Sequence, residues 1–247
     1  MLPDADLDLA VKECLLGALS FNGQRCTALK MLIVHRSVVD EFLRRFVVAL
    51  DKLKVGMPWE EGVAITPLPG PHRTAYMTEA LDDARAKGAQ VLNEGGGSFS
   101  ATLYWPAVVY PVREGMKLYR EEQFGPLIPV MAYDDVEEAL DYVITSDHGQ
   151  QVSLFGTDAA QIGALVDPLV NQVCRVNINC QCQRGPDVFP FAGRKDSAEG
   201  TLSVTDALRA FSIRSMVAAK QTEASRALLT HIVEDHRSKF VNTGFIL

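Results

Sequence analysis

Apolar residues are spaced along this chain in two alternating ways. Spacing of three or four residues predicts helices, and it occurs in the segments 7–19, 39–53, 76–84, 136–143, 160–170 and 227–233. Short apolar runs predict buried strands, and they occur in the segments 29–34, 90–92, 103–110, 127–133, 152–155 and 175–179. Helices that alternate with strands are typical of a sheet that carries helices on its faces. We therefore expect an α/β fold.

Prolines, glycines and short polar residues refine this assignment. Asp4 or Asp6 is placed to cap the first helix, because a carboxylate there accepts from the free N–H groups of the first turn. Pro106 places its strand near the edge of a sheet, since it cannot donate to a neighbour. Pro168 interrupts the helical segment that contains it. The glycines of 95–98 lack the GxGxxG spacing of a phosphate-binding turn and predict a loop.

The pattern weakens towards the C-terminus. From about Met216 only the segment 227–233 keeps helical spacing. We therefore expect a domain that spans residues 1–215 and a peripheral extension that spans 216–247.

Composition and charge narrow the class of protein. The 247 residues are 47% hydrophobic and 22% charged, as in an ordinary globular protein. A net charge of -7 argues against nucleic acid or an anionic membrane as the main partner, and no apolar run is long enough to span a bilayer. The early acidic residues Asp4, Asp6 and Asp8 are unlike a signal peptide. Five cysteines without a secretion signal indicate a reduced, cytoplasmic protein.

Cys26 lies where a helical pattern gives way to a strand-like one. The segment 20–27 reads Ser-Phe-Asn-Gly-Gln-Arg-Cys-Thr, so the thiol follows a turn at Asn22-Gly23 and directly follows Arg25. A thiol acts as a nucleophile near neutral pH when a positive neighbour favours its thiolate. The alternative is a small buried cysteine that packs like an apolar residue.

An acidic and aromatic turn precedes the predicted strand 127–133. Segment 121–126 reads Glu-Glu-Gln-Phe-Gly-Pro. Glu122 offers an acceptor and Phe124 a flat apolar surface, which together suit a ribose hydroxyl and a nicotinamide ring. The alternative is a solvated acidic turn with Phe124 in the core.

A basic loop follows the last predicted strand. The strand ends in Val-Asn-Ile-Asn at 176–179, and the loop 183–197 contains Arg184. Ligands of α/β sheets bind beyond the carboxyl ends of strands, and an arginine there can bind a phosphate or carboxylate through two hydrogen bonds. The alternative is an ordinary loop arginine that pairs with Asp187.

The three segments, in this order, resemble the aldehyde dehydrogenase superfamily from Asp4 to about Lys220. The resemblance rests on Gly-Gln-Arg-Cys at 23–26, on Glu-Glu-Gln-Phe-Gly-Pro at 121–126, and on the Phe-Pro-Phe-Ala-Gly-Arg-Lys-Asp-Ser loop at 189–197. Within the superfamily the chain looks most like the non-phosphorylating, NADP-dependent glyceraldehyde-3-phosphate dehydrogenases. The fold that this implies is the catalytic domain, a three-layer α/β sandwich with a mostly parallel sheet.

The resemblance also implies a role for each of these residues. Cys26 would attack the aldehyde carbon, and its backbone N–H would help to stabilise the oxyanion. Glu122 would bind the ribose of NADP (or NAD), and Phe124 would contact the nicotinamide. Arg25 and Arg184 would favour a small phosphorylated aldehyde. The implied reaction is oxidation of glyceraldehyde 3-phosphate to 3-phosphoglycerate through a thioester.

Further expectations concern the rest of the enzyme. In the family a general-base glutamate and most of the dinucleotide-binding domain precede the nucleophile, and no matching segment precedes Cys26 here. We therefore expect the sequence to correspond to the C-terminal half of such an enzyme and to be inactive alone. The intact enzyme is expected to be a homo-oligomer, and the segment 211–217 could be a strand at its subunit interface.

Other functions remain open at this stage. Cys174, Cys180 and Cys182 suggest a metal site, but they form no CxxC pair and have no nearby histidine, so we expect none. A Cys/His hydrolase would need His35 or His72 as the base, and neither lies in a suitable motif. The chain could also be a catalytically silent interaction protein, or an aldehyde dehydrogenase with another substrate.

Overall fold

The computed structural model describes residues 1–241. The helices are α1 (Leu7–Leu19), α2 (Arg36–Leu50), α3 (Pro71–Ala86), α4 (Lys117–Arg120), α5 (Val136–Thr145), α6 (Ala159–Leu169), α7 (Val204–Ala210) and α8 (Glu223–Glu234). The strands are β1 (Leu32–His35), β2 (Lys54–Val55), β3 (Val63–Ile65), β4 (Gln90–Val91), β5 (Phe99–Ser100), β6 (Leu103–Tyr104), β7 (Ala107–Tyr110), β8 (Leu127–Tyr133), β9 (His148–Gly149), β10 (Gln151–Leu154), β11 (Arg175–Ile178) and β12 (Arg194–Lys195). Each predicted helix is present, with ends that differ from the prediction by a few residues.

A mixed four-stranded sheet forms the centre of the fold. Its strand order is β1-β8-β7-β4. β8 runs parallel to both neighbours, with Leu32 opposite Val130 on one side and Ala107 opposite Leu127 on the other. β4 is antiparallel to β7. The predicted α/β fold with a mainly parallel sheet is confirmed.

Helices cover both faces of this sheet. Val108 and Ile128 pack in one core with α1 and α2, whereas Val109 and Leu127 pack in a second core with α3. Successive side chains of a strand point to opposite faces, so neighbouring residues of β7 and β8 supply two separate cores. The result is the predicted order of layers, with helices above and below the sheet.

Pro106 divides the predicted strand 103–110 into two. β6 pairs with β5 in a hairpin, while β7 lies inside the main sheet between β8 and β4, and not at its edge. Pro106 precedes the paired residues of β7, so its missing N–H removes no bond from the sheet. The Asn93 side chain binds both flanks, donating to the Pro106 carbonyl and accepting from the Val108 N–H, each at 2.9 Å.

The N-terminal segment uses its two candidate capping residues differently. Asp6 caps α1, because its carboxylate accepts from the N–H groups of Asp8 and Leu9. Asp4 accepts instead from the backbone and hydroxyl of Thr157 and from the Asp158 N–H, and these bonds lower the pKa of Asp4. The segment before α1 is thereby joined to the chain between β10 and α6.

The chain divides into two units. The first comprises Met1–Gly185 and Phe191–Gly200, and it contains the sheet and α1–α6. The second comprises Pro186–Pro190 and the chain from Thr201 onward, with α7 and α8. Within residues 1–241, no helix has both the length and the apolar composition needed to cross a membrane.

Residues 211–217, suggested by the sequence as a strand at a subunit interface, have no regular structure in this single chain, and the interface strand stays a prediction. A strand obtains its backbone hydrogen bonds from a neighbouring strand, and the described part of the second unit contains none. Phe211 and Ile213 are consequently almost fully exposed.

Candidate active site

A tight turn carries the chain from α1 to Cys26. Residues 20–23 form a single 3-10 turn, in which Asn22 and Gly23 have φ angles of 58° and 69°. Asn22 is buried and holds this turn in place, because its amide accepts from the Thr66 N–H and donates to the Thr66 carbonyl and hydroxyl. The chain then leaves the core, and the Cys26 thiol is exposed.

Within the described residues, 1–241, the backbone N–H of Cys26 has no acceptor. Among the hydrogen bonds of residues 1–241, the neighbouring N–H groups of Gln24 and Ala28 bind the carbonyls of Phe21 and Arg25, and none uses the N–H of Cys26. An unpaired N–H beside an exposed thiol is available to a negative oxygen that forms on a substrate.

The turn that contains Glu122 and Phe124 lies against the turn before Cys26. At Gly23, an added Cβ would lie 2.6 Å from the Gly125 carbonyl oxygen, so the two backbones are in direct contact. At Gly125, an added Cβ would lie 2.6 Å from the Met77 sulfur. Only glycine fits at position 23, where the near atom is backbone, whereas a side chain at position 125 would require the Met77 side chain to move.

An arginine of α3 holds the same turn from the other side. The Arg73 guanidinium donates to the carbonyls of Gln123 at 2.7 Å and Phe124 at 2.8 Å. Phe124 has a φ of 45°, which is unusual for a residue with a side chain. These contacts keep the ring of Phe124 partly exposed, with 36% of the residue's surface accessible.

Cys26, Glu122 and Phe124 line one cavity of about 380 Å³. The same cavity is lined by Lys30 and His148. Nε2 of His148 lies 3.9 Å from a Glu122 carboxylate oxygen, so the two form an ion pair only when the imidazole is protonated. The structure therefore brings together three of the five site residues that the sequence predicts.

Arg25 does not line this cavity. Its side chain turns back to donate to the Gly17 carbonyl at 3.3 Å and to the Gln181 side chain at 2.9 Å. Burial lowers the pKa of Arg25, and the thiols of Cys182 and Cys26 partly oppose this effect. Nε of Arg25 is buried and has no partner within the described residues.

Arg184 does not line the cavity either. Its guanidinium lies over the ring of Phe191, 5.6 Å from the ring centre. The proposed contact of Arg25 and Arg184 with a phosphate stays a prediction.

The other cysteines differ in exposure. Cys14 and Cys182 are buried, and burial raises the pKa of Cys14 to about 12 and that of Cys182 to about 11. Cys174 is exposed and Cys180 half-buried. Residues 1–241 contain no group of three or more cysteine, histidine or acidic side chains that could hold a metal ion.

The sequence alone did not indicate two of the residues that build the site. Arg73 follows a proline-rich loop and shows no pattern that links it to the Phe124 turn. Lys30 is a single cation within the apolar segment 29–34, and that interruption is the only signal it offers.

Comparison with known proteins assigns the chain to a family. The model of the aldehyde dehydrogenase family matches residues 1–217. The chain is 36% identical over 208 residues to an NADP-dependent glyceraldehyde-3-phosphate dehydrogenase of Arabidopsis thaliana, an alignment that covers 84% of this chain and 41% of the plant protein. The chain therefore spans about two fifths of that relative's length.

Solved structures of aldehyde-oxidising enzymes superpose on this chain as well. An NADP-dependent glyceraldehyde-3-phosphate dehydrogenase from Bacillus halodurans C-125, crystallised with NADP, superposes with a TM-score of 0.80 at 35% identity, covering 84% of this chain and 42% of that protein. A succinate-semialdehyde dehydrogenase from Burkholderia pseudomallei superposes with a TM-score of 0.78 at 30% identity, covering 82% of this chain and 42% of that protein.

Proposed function

Because the chain belongs to the aldehyde dehydrogenase family, we propose that Cys26 is the nucleophile of an NADP-dependent oxidation of an aldehyde to a carboxylic acid. The observation that carries this proposal is the shared cavity, which an exposed thiol, a carboxylate and a partly exposed aromatic ring all line. Exposure matters because an aldehyde must reach the sulfur.

The residues of the cavity suit the nicotinamide end of the cofactor. Glu122 keeps 44% of its side chain exposed and can accept from ribose hydroxyls. Phe124 offers an apolar surface to a flat ring. The cavity volume of about 380 Å³ lies within the range of ligand pockets. When bound, NADP would supply the hydride acceptor of the oxidation.

Cys26 carries the covalent steps. The thiol loses its proton to solvent, and the thiolate sulfur forms a bond to the aldehyde carbon while the electron pair of the carbonyl moves to the oxygen. The free N–H of Cys26 then donates to this oxyanion, and a single donor of this kind contributes about 2.7–4 kcal/mol in other enzymes. Loss of hydride from the carbon, for which bound NADP⁺ would be the acceptor, would convert the adduct into a thioester on Cys26. Water then cleaves the thioester, which releases the acid and restores the thiol.

The substrate that we propose is glyceraldehyde 3-phosphate. Support comes from the similarity to NADP-dependent glyceraldehyde-3-phosphate dehydrogenases of Arabidopsis thaliana and Bacillus halodurans. It also comes from two arginines: Arg25 directly precedes Cys26, and Arg184 follows β11 in the sequence. Both arginines would have to turn towards the cavity to bind its phosphate.

A second candidate is an aldehyde without a phosphate. The observation that favours it is the engagement of Arg25 with Gly17 and Gln181 and of Arg184 with Phe191. The similarity to a succinate-semialdehyde dehydrogenase is compatible with this candidate.

The test is formation of a thioester on Cys26. The full chain is incubated with p-nitrophenyl acetate, an acyl donor that needs no hydride acceptor, and peptide mass spectrometry locates the acyl group. We expect it on Cys26 and expect Cys26→Ser to abolish it. Cys174→Ser, which removes another exposed thiol, should leave it unchanged. An acyl group on Cys174, or none on Cys26, would contradict the proposal.

A matched pair of substrates separates the two candidates. Glyceraldehyde 3-phosphate and glyceraldehyde differ only in the phosphate. Addition of the thiol to either aldehyde needs no oxidant and protects Cys26 from iodoacetamide. If the arginines bind the phosphate, glyceraldehyde 3-phosphate should protect at a lower concentration than glyceraldehyde, and Arg184→Gln should weaken protection by glyceraldehyde 3-phosphate alone. Equal protection by both aldehydes in the unmodified chain would favour the second candidate.

A further inference from the structure

Lys30 is a half-buried cation in the wall of the cavity. Burial lowers its pKa to about 8, while the neighbouring Glu122 and Glu121 partly oppose this effect and Arg120 adds to it. A buried ammonium is unfavourable unless hydrogen bonds replace its lost water. The partners of Lys30 therefore indicate why a cation is placed there.

Those partners are the carbonyls of α4. Nζ of Lys30 donates to the Leu118 carbonyl at 3.1 Å and to the Tyr119 carbonyl at 3.0 Å. The last carbonyls of a helix have no partner within the helix, and a cation at this end is favoured by the helix dipole. α4 has only four residues, too few to be stable alone. Lys30 thus fixes the point from which the chain enters the Glu122 turn.

A second contact runs in the opposite direction. Nε2 of the buried Gln123 donates to the backbone carbonyl of Lys30 and to that of Leu127, each at 3.0 Å. Lys30 therefore binds the residues before the turn, and the turn binds the backbone of Lys30. We name this pair of contacts the Lys30–Gln123 clasp.

We propose that Lys30 is a positioning residue, which through this clasp holds the Glu122 turn at a fixed place relative to the Cys26 loop. Cys26 lies four residues before Lys30 in the chain, so the clasp joins the nucleophile's segment to the segment that faces the cofactor. The role of Lys30 in binding NADP rests on the proposed function, whereas its role in holding the turn does not.

The variants separate positioning from simple stability. Lys30→Met keeps an unbranched side chain and removes the ammonium donors. It leaves the Leu118 carbonyl without a partner, whereas the Tyr119 carbonyl still accepts from the Tyr142 hydroxyl at 3.1 Å. It also removes a half-buried charge, so its two effects on stability oppose each other. Lys30→Arg retains donors. Lys52→Met is the matched control, because Lys52 is an exposed lysine away from the site.

The first measurement is amide hydrogen exchange in the absence of cofactor. We expect Lys30→Met to accelerate exchange in residues 118–126 by about tenfold or more, as for loss of a charge-assisted hydrogen bond, and to leave α3 unchanged. Lys30→Arg should restore part of the protection. Unchanged exchange in 118–126, or equal acceleration in α3, would overturn the proposal. If Lys30→Met does not fold, Lys30→Gln, which retains one donor, is judged by the same criteria.

The second measurement is calorimetric titration with NADP⁺. We expect the dissociation constant to rise by about tenfold in Lys30→Met and to stay unchanged in Lys52→Met. An equal affinity in Lys30→Met would overturn the part of the proposal that concerns binding. Because the chain spans about two fifths of its relative's length, absence of NADP⁺ binding to the unmodified chain leaves the role of the clasp to be decided by the exchange measurement.

Discussion

Gly23→Ala tests the contact between the two turns of the site. The substitution adds one methyl group at a residue with a φ of 69°. The new Cβ would lie 2.6 Å from the Gly125 carbonyl oxygen and 2.8 Å from the Ala18 carbonyl oxygen. Both oxygens belong to the backbone, so neither can move away by a side-chain rotation.

Two effects contribute to the expected loss of stability. A residue with a Cβ in the left-handed region is destabilised by about 1–2 kcal/mol. Overpacking against a fixed surface typically costs a further 1–3 kcal/mol or so. We therefore expect Gly23→Ala to lower the free energy of unfolding by about 2–5 kcal/mol, measured by urea denaturation.

Gly62→Ala provides the matched control. Gly62 has a similar φ of 74°, and an added Cβ there would have no atom within 4 Å. Gly62→Ala should therefore lower the free energy of unfolding only by the conformational contribution, about 1–2 kcal/mol. If both substitutions lower the free energy of unfolding equally, the two turns are not in the contact described, and the reasoning is refuted.

Two further predictions concern titrating groups. Limited iodoacetamide should label Cys26 before the buried Cys14 and Cys182, whose pKa values burial raises to about 12 and about 11. Peptide mapping that finds Cys182 labelled first would contradict this. The pKa of Lys30 falls from 10.5 to about 8 on folding, so the unfolded chain binds more protons between these values and the free energy of unfolding rises with pH through that window, by at most about 3 kcal/mol. Urea denaturation between pH 7.5 and 9.5 measures this rise, and Lys30→Met should have a smaller rise than the unmodified chain.

Much of the fold could be predicted because its signals are local. The apolar run 127–133 forms β8 with the same ends, since a short apolar run between turn residues is typical of a buried strand. The segment 211–217 also contains apolar residues, but it forms no strand in this chain. Whether a strand forms depends on a neighbour, and that neighbour is not written in the segment itself.

The site was only partly predictable for the same reason. Motif residues such as Cys26 and Glu122 could be recognised one by one. Their relative placement depends on contacts between distant segments, such as the bond from Gln123 to Lys30, which are 93 residues apart. No local pattern of polar and apolar residues encodes such a bond.

The anchoring of the Glu122 turn has a consequence for the order of folding. The turn is anchored by contacts with Lys30, Gly23 and Arg73. The hydrogen bond from Arg73 to Gln123 joins residues 50 apart in the chain, and the one from Gln123 to Lys30 joins residues 93 apart. Contacts of this separation form only after large loops have closed, whereas α1 needs only its own neighbours. We expect the turn to assemble late and to open early when the protein is destabilised. A chain that has not finished folding would therefore expose the Cys26 thiol before the groups that direct its chemistry are in place.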